Sequence, residues 1–197
     1  MEEPAPSSEG LETRVRRTDR VELEWALTLR RSIEFGALEP ARTSLERHGE
    51  ELGVEAELLR ARLLTAEGSD LDAQRAIERA RRAAPSDVRV PATACELHSA
   101  HGRTESALQE LKLAHEMGGA MAEVHRAKAI HLLSQSGRAA EGLRELEAAR
   151  ELDPSLPFMD RATAQAHLLI AKEHLGKGRA RAGHFAQGKF STEEGQG

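Results

Sequence analysis

Four glycines interrupt otherwise helical sequence at nearly equal steps, and this spacing constrains the fold more than any other feature. Gly36, Gly68, Gly102 and Gly137 are separated by 32, 34 and 35 residues. Five residues beyond each stands a small residue (Ala41, Ala73, Ala107, Gly142), and nine beyond stands a larger aliphatic (Leu45, Ile77, Leu111, Leu146). Twelve beyond come His48, Ala80, Ala114 and Ala149; seventeen beyond come Gly53, Pro85, Gly119 and Pro154. Self-similarity at one period is the mark of a repeated supersecondary unit.

Residue types supply the physics of that unit. A glycine ends one helix and accepts the left-handed backbone of the turn. The small residue then lets the second helix approach the first, and the aliphatic four later fills the groove between them. Proline or glycine stops the second helix. Each unit is thus predicted to be a pair of antiparallel helices, whose apolar face needs a neighbour to cover it.

Composition agrees with an all-α chain. Only 3% of the residues are aromatic, with no Tyr, whereas Ala, Leu, Glu and Arg abound. Sheets lean on β-branched and aromatic residues, so a sandwich or barrel is excluded, as is a base-stacking platform for nucleic acid. The net charge of −5 offers no overall basic field for nucleic acid. A single cysteine, Cys95, excludes an internal disulfide and a multi-cysteine metal site. The acidic, proline-rich start lacks the basic and apolar regions of a signal peptide, and no apolar run is long enough for membrane insertion. A cytoplasmic protein is expected, or a periplasmic one if an export segment once preceded it. Arg outnumbers Lys 23 to five, which points towards a bacterial genome rich in GC.

With the turn glycine counted as position fifteen, Trp25 falls at position four of the first unit. With Gly68, Ala73, Ile77, Ala80 and Pro85 in the second, the array resembles the tetratricopeptide repeat (TPR) family. The units run over about 22–53, 54–87, 88–122 and 123–156, within a repeat region of 19–156. Two columns depart from the family pattern: position eight holds Leu29, Ala61, Cys95 and Ile130, and position eleven holds Ser32, Leu64, His98 and Leu133. The resemblance implies an all-α, TPR-type α-solenoid of stacked antiparallel helix pairs with C-terminal capping helices. Residues 1–18 read as disordered. Residues 157–197 read as a C-terminal helix or helices, either a cap or an incomplete fifth repeat. One helix is expected over 158–175, a break at Gly176 and Gly178, and a second helix over 180–190.

The resemblance also implies a function: a non-catalytic scaffold or adaptor that binds a peptide or helix of a partner protein in a concave groove. By family position, that groove is lined in the first two units by Arg30, Glu34, Arg62 and Thr65. In the last two it is lined by Glu96, Ser99, His131 and Gln135. Arg30 and Arg62 suit a ligand carboxylate, which a guanidinium grips through two hydrogen bonds. The Lys and Asn carboxylate clamp of chaperone-binding relatives is not reproduced: Ala26 and Arg30 occupy two of its places, and the chain has no Asn. An alternative is the accessory TPR region of a larger bacterial enzyme, such as an envelope zinc metallopeptidase. A homodimer through the C-terminal helices, near Leu168, Leu169 and Ile170, is a further expectation.

Catalytic readings are weak in the sequence. His98 and His101 share a helical spacing suited to zinc, but no third ligand is fixed. Cys95 and His98 are spaced for a nucleophile and base, yet Cys95 falls in a helix-contact column that suits a buried thiol. No phosphate loop, dinucleotide fingerprint, His-Glu-x-x-His or Gly-x-Ser-x-Gly motif occurs, and no metal or other cofactor is implied. Around 177–181 the chain is locally basic and suited to an acidic partner, or to a solvated helix start.

Overall fold

The computed structural model describes residues 25–193, with side chains as far as Gly176 apart from Glu51. Residues 1–18, expected to be disordered, lie outside that range. Among the described residues all regular structure is helical, with no strand. Helix α1 spans 25–35, followed by α2 (Leu38–His48), a 3-10 turn (Gly49–Leu52), α3 (Val54–Ala66) and α4 (Asp70–Ala83). Then come α5 (Arg89–Ala100), α6 (Thr104–Gly118), α7 (Ala122–Leu133), α8 (Ala139–Leu152) and α9 (Met159–Glu193). The chain divides into two compact units, one ending at Pro85 and the other beginning at Ser86.

The four spaced glycines all sit in turns with positive φ: 82° at Gly36, 77° at Gly68, 68° at Gly102 and 79° at Gly137. Three of these turns repeat one hydrogen-bond pattern. The glycine N–H donates three residues back (to Ile33, Thr65 and Ser99) and the next N–H donates five back, Ala37 to Ser32, Ser69 to Leu64 and Arg103 to His98. This is the Schellman termination, which satisfies the last carbonyls of the helix and reverses the chain at once. The fourth turn is longer. Helix α7 stops at Leu133, Ser134 and Gln135 cap back onto Ile130 and Leu132, and the 35-residue step is absorbed there.

Helix entry repeats as well. In all four second helices the N–H of the small residue donates to the residue just after the glycine: Ala41 to Ala37, Ala73 to Ser69, Ala107 to Arg103 and Gly142 to Arg138. The three alanines have no exposure at all. At Gly142 the close approach is measurable: an added Cβ would lie 2.8 Å from Leu133 Cδ2 and 3.2 Å from the Ala129 carbonyl oxygen. Two glycine substitutions therefore act by different physics. Gly102→Ala meets no atom within 4 Å, so its expected cost, about 1–2 kcal/mol, comes from the left-handed backbone alone. Gly142→Ala gains helix propensity but pushes α7 and α8 apart, and a net loss of about 1 kcal/mol is expected. Urea unfolding of the two variants checks both values.

In the N-terminal unit α3 packs on α2 and α4. Leu29, Leu45, Leu59 and Ile77 are among its buried residues. Trp25 stacks on His48, ring centroids 4.7 Å apart, in the column where the later units carry alanine. In the C-terminal unit α5 pairs with α6, α7 with α8, and α5 lies along α7. Nine of the twelve α5 residues are buried, as expected of a helix covered on several sides.

Helix α9 departs from the sequence expectation. The glycine pair predicts a break at 176–178 and a new helix from residue 180; the structure has one continuous helix of 35 residues. Glycine in a helix interior costs only about 1 kcal/mol, and Lys177, Arg179 and Ala180 around it are good helix formers. Neither proline nor a left-handed residue enforces a stop. Met159, Ala162 and Ala166 lie in one buried cluster with Leu133, Leu146 and Leu156, so the start of α9 covers the apolar face of α7 and α8.

Candidate functional site

The residues that the resemblance implies for partner contact lie on α1, α3, α5 and α7, except Gln135, which lies in the turn after α7. In the N-terminal unit, Arg30 on α1 donates from Nε and Nη2 to Glu55 Oε1 on α3, at 3.2 and 3.0 Å. A ligand carboxylate at Arg30 would therefore have to displace Glu55. Glu34 is buried, Arg62 is half-buried, and Thr65 donates to the Ala61 carbonyl at 2.7 Å, back on its own helix. Glu57 on α3 accepts from Arg60 and, at 2.9 Å, from Arg79 Nε on α4.

In the C-terminal unit three of the four assigned residues are buried. Glu96 on α5 pairs with Arg126 on α7 at 2.9 Å, the two side chains only 6% and 4% exposed. Arg126 also donates from Nη1 to the Pro157 carbonyl at 2.8 Å, and its guanidinium lies 5.9 Å from the centre of the Phe158 ring. Phe158 holds a left-handed backbone, φ 64°, at the entry to α9. One arginine thus ties α5, α7 and the α8–α9 turn together. The geometry belongs to a structural ion pair, whose burial costs desolvation and whose geometry must recover it.

A second polar line runs beside it. Arg138 Nη1 donates to Gln135 Oε1 at 3.0 Å, and Gln135 Nε2 lies 2.7 Å from His131 Nε2. An amide N–H can only donate, so His131 Nε2 accepts and its Nδ1–H donates to Ser99 Oγ at 3.2 Å. This line fixes histidine in the neutral form. Burial, and then the positive charge of Arg138, hold its pKa below the ordinary histidine value. The exposed end is closed by Glu141, which accepts from Arg138 Nε and Nη2.

The sign of the pH dependence follows. Between the depressed folded pKa and an unfolded value of about 6.5, the unfolded chain binds more protons, so stability rises with pH. His131 contributes its full stabilisation above about pH 6.5, and loses it as pH falls towards the folded value. The midpoint of thermal unfolding is expected to drop between pH 7.5 and 5.5, and His131→Gln to reduce that drop.

Cys95 is fully buried on α5 and donates weakly to the Ala127 carbonyl, 3.8 Å away. Burial, reinforced by the Glu96 charge, pushes its thiol up to about 12, against a smaller opposing hydrogen bond from Ser99. A thiol so placed is not a nucleophile at neutral pH. His98 and His101 gain no third ligand: among the described residues no group of three or more His, Cys, Asp or Glu side chains could hold a metal ion. Among the same residues no helix is long and apolar enough to cross a membrane.

No family model, curated protein or solved structure matches the chain. The pattern brings Ser99, His131 and Gln135 into one line and places Glu96 against an arginine it did not single out. Arg126 stands at position four of its unit, where Trp25 stands in the first.

Proposed function

We propose that this chain is a non-catalytic protein–protein interaction scaffold, built of TPR-type helix pairs whose first helices take a peptide or helix of a partner. The observation that carries the reading is the recurrence of one helix–turn–helix geometry: left-handed glycines at a common spacing, with the same hydrogen bond into each second helix. Repeated helix pairs are a common framework for protein-binding surfaces.

Within that face the buried groups have a structural task. Glu96, Ser99 and His131 satisfy one another or their neighbours, and partner contact falls to the half-exposed Arg62 and Gln135 and to exposed Ser134. Few aromatic anchors are available, so charge and shape carry affinity and the complex is expected to be salt-sensitive.

The test starts from a partner captured with the full chain and then purified. Calorimetric titration should show Arg62→Ala and Gln135→Ala each weakening binding by about tenfold, with thermal unfolding unchanged for Arg62→Ala. Arg75→Ala, on the exposed flank of α4 where Arg75 pairs with Asp72, should bind as wild type. Wild-type affinity in both the Arg62 and the Gln135 variant contradicts the proposal.

A further inference from the structure

Gln135 stands between a permanent cation and a base, and its amide can serve both only one way round. Arg138 Nη1 lies 3.0 Å from Gln135 Oε1, and Gln135 Nε2 lies 2.7 Å from His131 Nε2. A guanidinium has donors and no acceptor, and it keeps its charge at physiological pH. The amide must therefore turn its oxygen to Arg138, which leaves only N–H groups for the imidazole. A ring nitrogen facing such an N–H has to be bare.

Ser99 fixes the other side of the ring. Its hydroxyl gives the Cys95 sulfur a hydrogen bond, and its Oγ lies 3.2 Å from His131 Nδ1. The Oγ lone pairs are thus left for Nδ1–H, and that bond is the same in the imidazole and the imidazolium. Any proton that His131 gains arrives at Nε2, where it meets the Gln135 N–H donor against donor.

The charges around the ring agree with this. Burial, and then Arg138, favour neutral His131, and among the described residues no other charge is felt there. On the helices packed against α7 the remaining charges are engaged elsewhere. Glu96 of α5 is held by Arg126, and Glu145 of α8 by His125 and Lys128. Lys112 of α6 pairs with Glu116, and Asp160 of α9 with Arg150. His98, His101, Arg103 and Glu110, on α5, α6 and their turn, add nothing at His131.

We propose that His131 and Gln135 form a proton-operated switch in the α7–α8 turn: a proton at His131 Nε2 turns the Gln135 amide over and breaks its bond to Arg138. The turned amide gives Oε1 to Nε2–H and points its NH2 group at Arg138, so Nη1 loses its acceptor. Arg138 stays on Glu141, which accepts from its Nε and Nη2. The side-chain brace between the end of α7 and the start of α8 is then gone. The proton comes from solvent and returns to it. This device lies within the C-terminal unit and stands whether or not the first-helix face binds a partner.

Nuclear magnetic resonance of the isotope-labelled full chain, titrated from about pH 8 to about pH 4.5, tests it. At the start His131 should be neutral with its proton on Nδ1. As the ring titrates, amide-exchange protection at residues 135–138 should fall about tenfold with the same midpoint, since a charge-assisted hydrogen bond is lost. Gln135→Met keeps the Arg138 charge but removes the donor to the neutral ring, so it should raise the His131 midpoint. Arg138→Met should raise it too. Adding Gln135→Met to Arg138→Met should raise it no further, because an amide that Arg138 no longer holds can serve either form of the ring. Charge alone would make the two shifts additive. Neither side chain is buried, so both variants should fold. Any of five results overturns the proposal: a neutral ring protonated on Nε2, a ring that stays neutral down to about pH 4.5, unchanged protection at 135–138, a wild-type midpoint in Gln135→Met, or additive shifts in the double variant.

Discussion

Arg126→Ala is expected to destabilise the C-terminal unit by about 3–5 kcal/mol, the usual consequence of removing one partner from a buried ion pair. The variant strips Glu96, itself 6% exposed, of a guanidinium at 2.9 Å. It also removes the donor to the Pro157 carbonyl and the cation beside Phe158. Replacing both members, Glu96→Leu with Arg126→Met, should recover most of the loss, because desolvation then falls on neither. Urea unfolding measures both. A loss below about 1 kcal/mol for Arg126→Ala would place the pair at the level of a surface bridge.

Leu146→Ala carries the second large effect. Leu146 on α8 is 1% exposed and lies in the cluster that joins α7, α8 and α9. Its truncation should leave a cavity and cost about 2–5 kcal/mol. Leu111 holds the same column of the repeat on α6 but is only partly buried, so Leu111→Ala should cost distinctly less. Equal losses would mean that column position, rather than the packing around each residue, sets the energetics.

These two variants mark the boundary of what the sequence reveals. The turns were legible because a left-handed helix end strongly favours glycine, and the four glycines recur at a near-constant spacing. The small-residue column was legible for a similar reason: Ala41, Ala73 and Ala107 have no exposure, and a larger side chain in a closely packed helix contact costs stability. Burial of polar residues left no such trace. Glu96, Ser99 and His131 occupy positions that read the same whether a helix faces solvent or another helix, and only the packing of α5 along α7 decides between the two. Residues 176–178 misled for the opposite reason. Glycine permits a break without requiring one, and the residues around it favour continuing the helix.

His131 shows how far local chemistry can be followed once packing is known. Its neighbour Gln135 was visible as a residue of the same helix end, but the order Arg138, Gln135, His131, Ser99 exists only because the α7–α8 turn brings Arg138 back towards Gln135. The same turn absorbs the longer spacing to Gly137. Turn length and side-chain connectivity are thus coupled at this site.

The most direct test of the scaffold reading is amide hydrogen exchange on the full chain, with and without its captured partner. Added protection is predicted on α1, α3, α5 and α7, the helices that carry the assigned contact residues, with α2, α4, α6 and α8 unchanged. Protection concentrated on the second helices, or none on any of the eight, would contradict it.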